Sequence, residues 1–212
     1  MTKALGAREA NSLKIRAALI SACEDLLGKN PIDAITINNI VETAGVAKGS
    51  FYNHFPDKES LAVTVSTAIR EEVERKVADS NMNVTDPAYR IARGICHHIK
   101  LAVDNPQRAM IMLRNPKLAT SGEYPLNKNI QIDIREGVES GRFSPRCEEA
   151  GIIQVIGATI STMLRVIEKD LSIDQAIDLS TKVFMLTLCG FGVIEEEAFR
   201  IVSDSAKDII GG

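Results

Sequence analysis

The chain has 212 residues, 45% hydrophobic and 25% charged, with a net charge of −3. That is enough apolar material for one large domain or two smaller ones, and there is no low-complexity tract or internal repeat. No stretch offers the roughly 20 uninterrupted apolar residues of a membrane span, and the opening MTKALG lacks the apolar core of a signal peptide, so a cytoplasmic location is expected. Cys23, Cys96, Cys147 and Cys189 lie far apart without paired spacing, which fits isolated small hydrophobes or free thiols and gives no zinc pattern.

Residues 1–8 read as an arm whose Lys3 and Arg8 either reach a nucleic-acid backbone or groove or remain solvated. A first helix is expected from about Glu9 to Gly28, with Ile15, Leu19, Ala22 and Leu26 on one stripe. After the Lys29-Asn30-Pro31 loop, Ile32 and Ile35 should tuck into a small core. Thr36 can cap a short second helix carrying Ile37, Ile40 and Val41. Ala44-Gly45-Val46 breaks that helix: Ala44 allows close crossing, Gly45 can take positive φ, and Val46 fills the angle. A third helix, about 47–54, has Phe51 on its apolar side, and Pro56 stops it before Asp57 caps the next.

Two short helices around a glycine turn form a helix-turn-helix, whose second helix enters a DNA major groove. The string Thr36, Ile40, Ala44-Gly45-Val46, Lys48-Gly49-Ser50-Phe51-Tyr52, His54-Phe55 and Asp57-Lys58-Glu59-Ser60-Leu61 resembles the head of TetR/AcrR transcriptional regulators. The resemblance is specific for the head and general for the rest. It implies an all-α chain: an N-terminal three-helix DNA-binding domain over 1–57, joined by a long helix to a helical effector-binding and dimerisation domain over 58–212.

That long helix is expected from Asp57 to about Asp79, apolar early and charged later around Arg70-Glu71-Glu72-Val73-Glu74-Arg75-Lys76, as a lever between the two domains. Asp86 or Thr85 should cap a helix from Pro87 to about Val103, on which His98 points inward with Ile91 and Ile95. Short helices are expected over about 107–114 and 126–140. Two long segments, about 148–169 and 173–193, are apolar nearly all round, so each must be buried on two sides. One side can face the core and the other a second copy, so these segments are expected to pair as a homodimer interface of the kind the resemblance implies. A final amphipathic helix should follow from Glu195 to about Ile210.

For DNA, Tyr52 and His54 offer hydrogen-bonding tips on rigid rings, and Lys48 can reach a guanine edge or a phosphate. Ser50, Asn53, Thr36 and Lys58 are expected at phosphates, and Gly49 lies within the matched reading helix. The resemblance gives the matching positions these roles. It departs at Asn53, where an aromatic is frequent, and at Pro56, where a basic residue is frequent, which puts the strength of backbone grip in doubt. Residues 1–60 hold seven basic and seven acidic side chains, so the acidic surplus lies in the remainder. Phosphate contact depends on where charge sits rather than on the total.

An effector pocket is expected between the fifth and eighth helices, with His98, Met110, Arg114, Tyr124, Met163 and Arg165 as candidate lining. Few aromatics favour an aliphatic or small polar effector. Adjacent His97 and His98 project about 100° apart on a helix, which is poor for joint metal ligation, and no nucleophile motif or phosphate loop accompanies them. No enzyme, metal or cofactor is expected. The function read from the sequence is a ligand-responsive repressor that binds a palindromic operator as a dimer and is released by a small molecule. The alternative is a helical protein-interaction module without sequence-specific DNA binding.

Overall fold

The computed structural model describes residues 6–114, 127–144 and 148–212. Among these residues it holds ten α-helices and no strand: α1 (Ala7–Leu27), a 3₁₀ turn (Ile32–Ala34), α2 (Ile37–Ala44), α3 (Lys48–Tyr52), α4 (Lys58–Asn81), α5 (Pro87–Asp104), α6 (Pro106–Leu113), α7 (Lys128–Glu139), α8 (Glu148–Glu168), α9 (Ile173–Gly190) and α10 (Glu195–Ile209). The all-α expectation holds. The chain divides into two compact units, Met1–Ile69 and Arg70–Gly212.

In the first unit α1 packs against α2, and Leu19, Ala22, Cys23, Leu27, Ile35, Ile40, Val41, Phe51, Phe55 and Leu61 form the core. At roughly 1.5–3 kcal/mol for each large side chain buried, these residues hold three short helical pieces that could not persist alone. Cys23 is one of the core hydrophobes, and burial pushes its thiol up to about 12. The first compact unit includes the start of α4, where Leu61, Val65 and Ile69 are each at most 1% exposed.

In the second unit α5 is central, packing against α6, α7, α8, α9 and α10. Its inward face is Ile91, Ala92, Ile95, Cys96, His98, Ile99 and Ala102. Asp86 caps it by accepting the Ala88 N–H at 2.9 Å, with Pro87 at the first helical position. The same carboxylate pairs with Arg142, whose guanidinium also grips Glu197 of α10. Hydrogen bonds to Asp86 and then Glu197 raise the Arg142 pKa further. One arginine thus ties the turn after α7 to the starts of two helices.

That turn also sets how closely α7 approaches its neighbours. Phe143 folds back over Gly137 and meets Phe191 edge-on at 5.2 Å, and both rings are buried. A Cβ added at Gly137 would overlap the Phe143 ring. α8 is long and apolar enough by length and composition alone to cross a membrane. Here it packs against α5, α6, α7 and α9. Gly137→Ala is expected to lower stability by about 1–3 kcal/mol in urea unfolding, through displacement of Phe143. An unchanged unfolding midpoint would show that the ring can move aside without cost.

Candidate nucleic-acid interface and ligand cavity

The helix-turn-helix is built by two local devices. Thr36 Oγ1 accepts the Asn39 N–H at 3.1 Å while Asn39 Oδ1 accepts the Thr36 N–H at 3.0 Å, a reciprocal cap that starts α2. Gly45 ends it with φ 65 and ψ 34, and Val46 N–H returns to the Val41 carbonyl at 3.0 Å. Only glycine enters this left-handed region without steric cost, so the angle between α2 and α3 follows from that residue.

α3 is shorter than expected, five residues with 53 and 54 in a following turn, and Pro56 follows closely. Phe51 is its completely buried anchor. Around that anchor, Lys48, Gly49, Tyr52 and Asn53 are exposed, and Ser50 and His54 are half-buried. Tyr52 stands edge-on to Phe51 at 5.4 Å, which fixes its ring, and remains 54% exposed. Phe55, below the turn, carries the Arg16 guanidinium 5.3 Å over its ring. Thr36, also exposed, completes a polar surface from the start of α2 to the end of α3.

Lys58, expected at a phosphate, has partners inside the first unit. Its Nζ donates to the Ile32 and Ile35 carbonyls at 2.9 and 2.8 Å, spending two of its three hydrogens inside the first unit. Those carbonyls bracket the 3₁₀ turn before α2, so Lys58 fastens the start of α4 to the loop. The neighbouring Asp57 caps α4 by accepting the Ser60 N–H at 2.7 Å, and hydrogen bonds from the Ser60 side chain and then its N–H lower the Asp57 pKa.

The second unit holds a partly open cavity of about 70 Å³ among α4, α5, α6, α7 and α8. Ile91, Ile95, Met112, Val155, Ile156 and Met163 give it an aliphatic wall, while Arg70, Glu74, His98, Arg90 and Asp133 bring polar groups to it. Arg70 pairs with Glu74 at 2.8 Å, and Arg90 with Asp133 at 2.7 Å and with Glu136. Burial raises the Asp133 pKa to about 6 against the lowering pull of Arg90. His98 Nδ1 lies 2.8 Å from the Gly94 carbonyl, and its Nε2 is 3.6 Å from Glu74 Oε1. Burial, reinforced by Arg70, pushes the His98 pKa down to about 3, so the ring is neutral.

Two candidates from the sequence, His98 and Met163, line this cavity. Met110 does not line the cavity: α6 buries Ala109, Ile111 and Met112, and Met110 is half-buried about 200° around the helix from Met112. Arg165 is rotated by the same angle from Met163 and is exposed. Arg114 is exposed beyond the end of α6. Tyr124 and Cys147 lie outside the described residues.

Residues 19–65 match the family model for bacterial regulatory proteins of the tetR family. Residues 86–204, more than half the chain, match the tetracyclin repressor-like C-terminal domain. The chain belongs to the TetR family. It is 35% identical over 74 residues to the HTH-type transcriptional regulator LmrA of Bacillus subtilis (strain 168), a match spanning 34% of this chain and 39% of LmrA. The structure of RolR in complex with resorcinol superposes with a TM-score of 0.69 at 23% identity, covering 92% of this chain and 95% of that one. A gamma-butyrolactone receptor (ArpA like protein) gives 0.66 at 20%, covering 95% and 98%. The Bacillus subtilis regulator FadR with stearoyl-CoA gives 0.67 at 18%, covering 82% and 98%. These three share the fold.

Within this TetR-family chain, the cavity residues missed from the sequence are Arg70 and Glu74 of α4, and Arg90 and Asp133. The i, i+4 pair Arg70–Glu74 was visible, but inside a charge run it reads as a solvated face. His97, beside His98, turns away from the cavity to Ser80 Oγ at 2.9 Å, and burial lowers its pKa to about 4.

Both histidines have folded pKa values below the ordinary 6.5, so the unfolded chain takes up protons first on acidification. Their contribution to stability is complete above about 6.5 and is lost as pH falls toward the folded values. Asp133 acts oppositely: raised from 3.8 to about 6, it contributes most below 3.8 and loses that as pH rises through about 6. Burial, then Arg70 and His97, lower the His98 pKa, and the hydrogen bond with the Gly94 carbonyl raises it. Thermal unfolding of wild type and His98→Leu from about pH 7 to about pH 4.5 should show the wild type losing more Tm on acidification. Parallel curves would contradict a neutral, buried His98.

Proposed function

We propose that this chain is a ligand-responsive transcriptional repressor that binds a near-palindromic operator as a homodimer and acts in the cytoplasm. The observation that carries this reading is the exposed row Lys48, Gly49, Tyr52 and Asn53 around a single buried anchor, Phe51. Tyr52, His54 and Lys48 read base edges, and Thr36, Ser50 and Asn53 meet phosphates. Lys58 positions the start of α4 instead of meeting phosphate. Gly49 supports the assignment: an added Cβ meets nothing within 4 Å of the chain. Glycine inside a helix costs about 1 kcal/mol relative to alanine, so close approach of a nucleic-acid backbone is a better reason for it than the fold.

The dimer forms through α8 and α9. Ile153 is 47% and Leu186 65% exposed in the single chain, and Gly157 leaves open space one turn beyond Ile153. Such small and apolar positions on adjacent helices suit a paired-helix interface. The two reading helices then enter successive major grooves, about 34 Å apart.

An effector enters the cavity, where it meets Arg70 and Glu74 on α4. Resorcinol and stearoyl-CoA in the structures of two relatives support a small-molecule effector of some kind. α4 is continuous from Lys58 to Asn81, so a ligand that favours one placement of its Arg70–Val77 stretch biases the end held by Lys58. Effector and operator then oppose each other through their different affinities for the two arrangements.

Selection of genomic fragments on the dimer should enrich a palindrome. Tyr52→Ala should weaken binding to it roughly tenfold or more. Gly49→Ala should weaken operator binding without lowering thermal stability. If the folded dimer selects no sequence even at low salt, the protein-interaction reading replaces this one. Separately, Gly157→Leu should give a folded monomer in sedimentation, and an intact dimer would remove α8 from the interface.

A further inference from the structure

Among the described residues that line the cavity, every buried polar side-chain atom but one has a partner. Arg70 is matched by Glu74, and Arg90 by Asp133 and Glu136. Thr159 Oγ1 donates to the Val155 carbonyl at 2.7 Å. Among the described lining residues, the buried side-chain atom left without a hydrogen bond is His98 Nε2. Its side chain is 10% exposed. The Gly94 carbonyl, 2.8 Å from Nδ1, can only accept, so Nδ1 carries the hydrogen and Nε2 presents a lone pair. Glu74 Oε1, 3.6 Å away, is a second acceptor and cannot satisfy it. A buried acceptor without a partner costs about 1–3 kcal/mol, and a ligand that donates to it recovers that cost.

The rest of the cavity limits what that donor can belong to. Its volume of about 70 Å³ holds roughly five to seven water-sized groups, the size of a single ring. Its wall is aliphatic. Its charges are already paired, so an ionic ligand would be desolvated without a free countercharge to meet it. We infer that the cavity binds a small, neutral, ring-sized molecule whose hydroxyl group donates to His98 Nε2. This rests on the effector reading above and adds the ligand's chemistry: a neutral donor, with carboxylates and acceptor-only analogues discriminated against.

Calorimetry on the full-length protein tests this with phenol and cyclohexanol as hydroxyl probes, anisole as a phenol without its donor, and benzoate as an anion. Phenol and cyclohexanol should bind, with anisole roughly tenfold weaker than phenol and benzoate weaker still. In His98→Leu, phenol should fall to the level of anisole while anisole is unchanged. Anisole equal to phenol in the wild type, benzoate tighter than phenol, or no binding of either hydroxyl probe would overturn the inference, and these comparisons need no variant to fold. Operator binding is measured in parallel. A phenol preference that depends on His98 but leaves operator affinity unchanged would uphold the ligand class and sink the regulatory reading.

Discussion

One helix has to be buried in two cores. In α4, Leu61, Val65 and Ile69 are buried in the first unit and Val73 and Val77 in the second, each four residues after the last. Successive positions four apart drift by about 40° around an α-helix, so these buried positions form a slowly winding stripe. At roughly 1.5–3 kcal/mol per large apolar side chain, neither half can be withdrawn cheaply. The polar residues between these positions are therefore held at fixed angles, and Arg70 and Glu74 come to the cavity for that reason.

The first unit depends on the same economy at shorter range. Its reading helix is too short to stand alone, and it exists because Phe51 is buried and Gly45 turns the chain at the right angle. Lys58 adds the third constraint by binding the carbonyls around the 3₁₀ turn. Once those three are spent on the fold, the remaining side chains of α3 are available to a partner. Within this five-residue helix, Phe51 is the buried side chain, and Lys48, Gly49 and Tyr52 stay exposed.

In the second unit the balance is electrostatic. Four charges reach a mostly aliphatic cavity, and they are tolerated because they arrive as pairs. His98 is different: it is neutral because burial and Arg70 disfavour its proton, and its Nδ1 is fixed by its own helix. The cavity is therefore saturated with charge and short of one donor.

Local sequence was enough for every element whose start and stop are written in caps and turns. Thr36, Gly45, Asp57, Asp86 and Pro87 act on neighbours within a few residues, so the helix-turn-helix and the α5 start were legible, as was His98 from its spacing with Ile91 and Ile95. Side chains whose role depends on distant residues were not. Lys58 looked like a phosphate ligand because its carbonyl partners, Ile32 and Ile35, lie 26 and 23 residues away. Met110 and Arg165 were plausible lining until the rotation of α6 and α8 in the bundle turned Met112 and Met163 inward instead. Arg70 and Glu74 read as part of a solvated charge run, and only the packing around α4 made that face an interior one. The sequence by itself determined the helices and their breaks, because those follow from short-range backbone chemistry. Tertiary structure decided which charges are paired, which nitrogen is left open and where the cavity lies, because those depend on helix rotations set by the whole core.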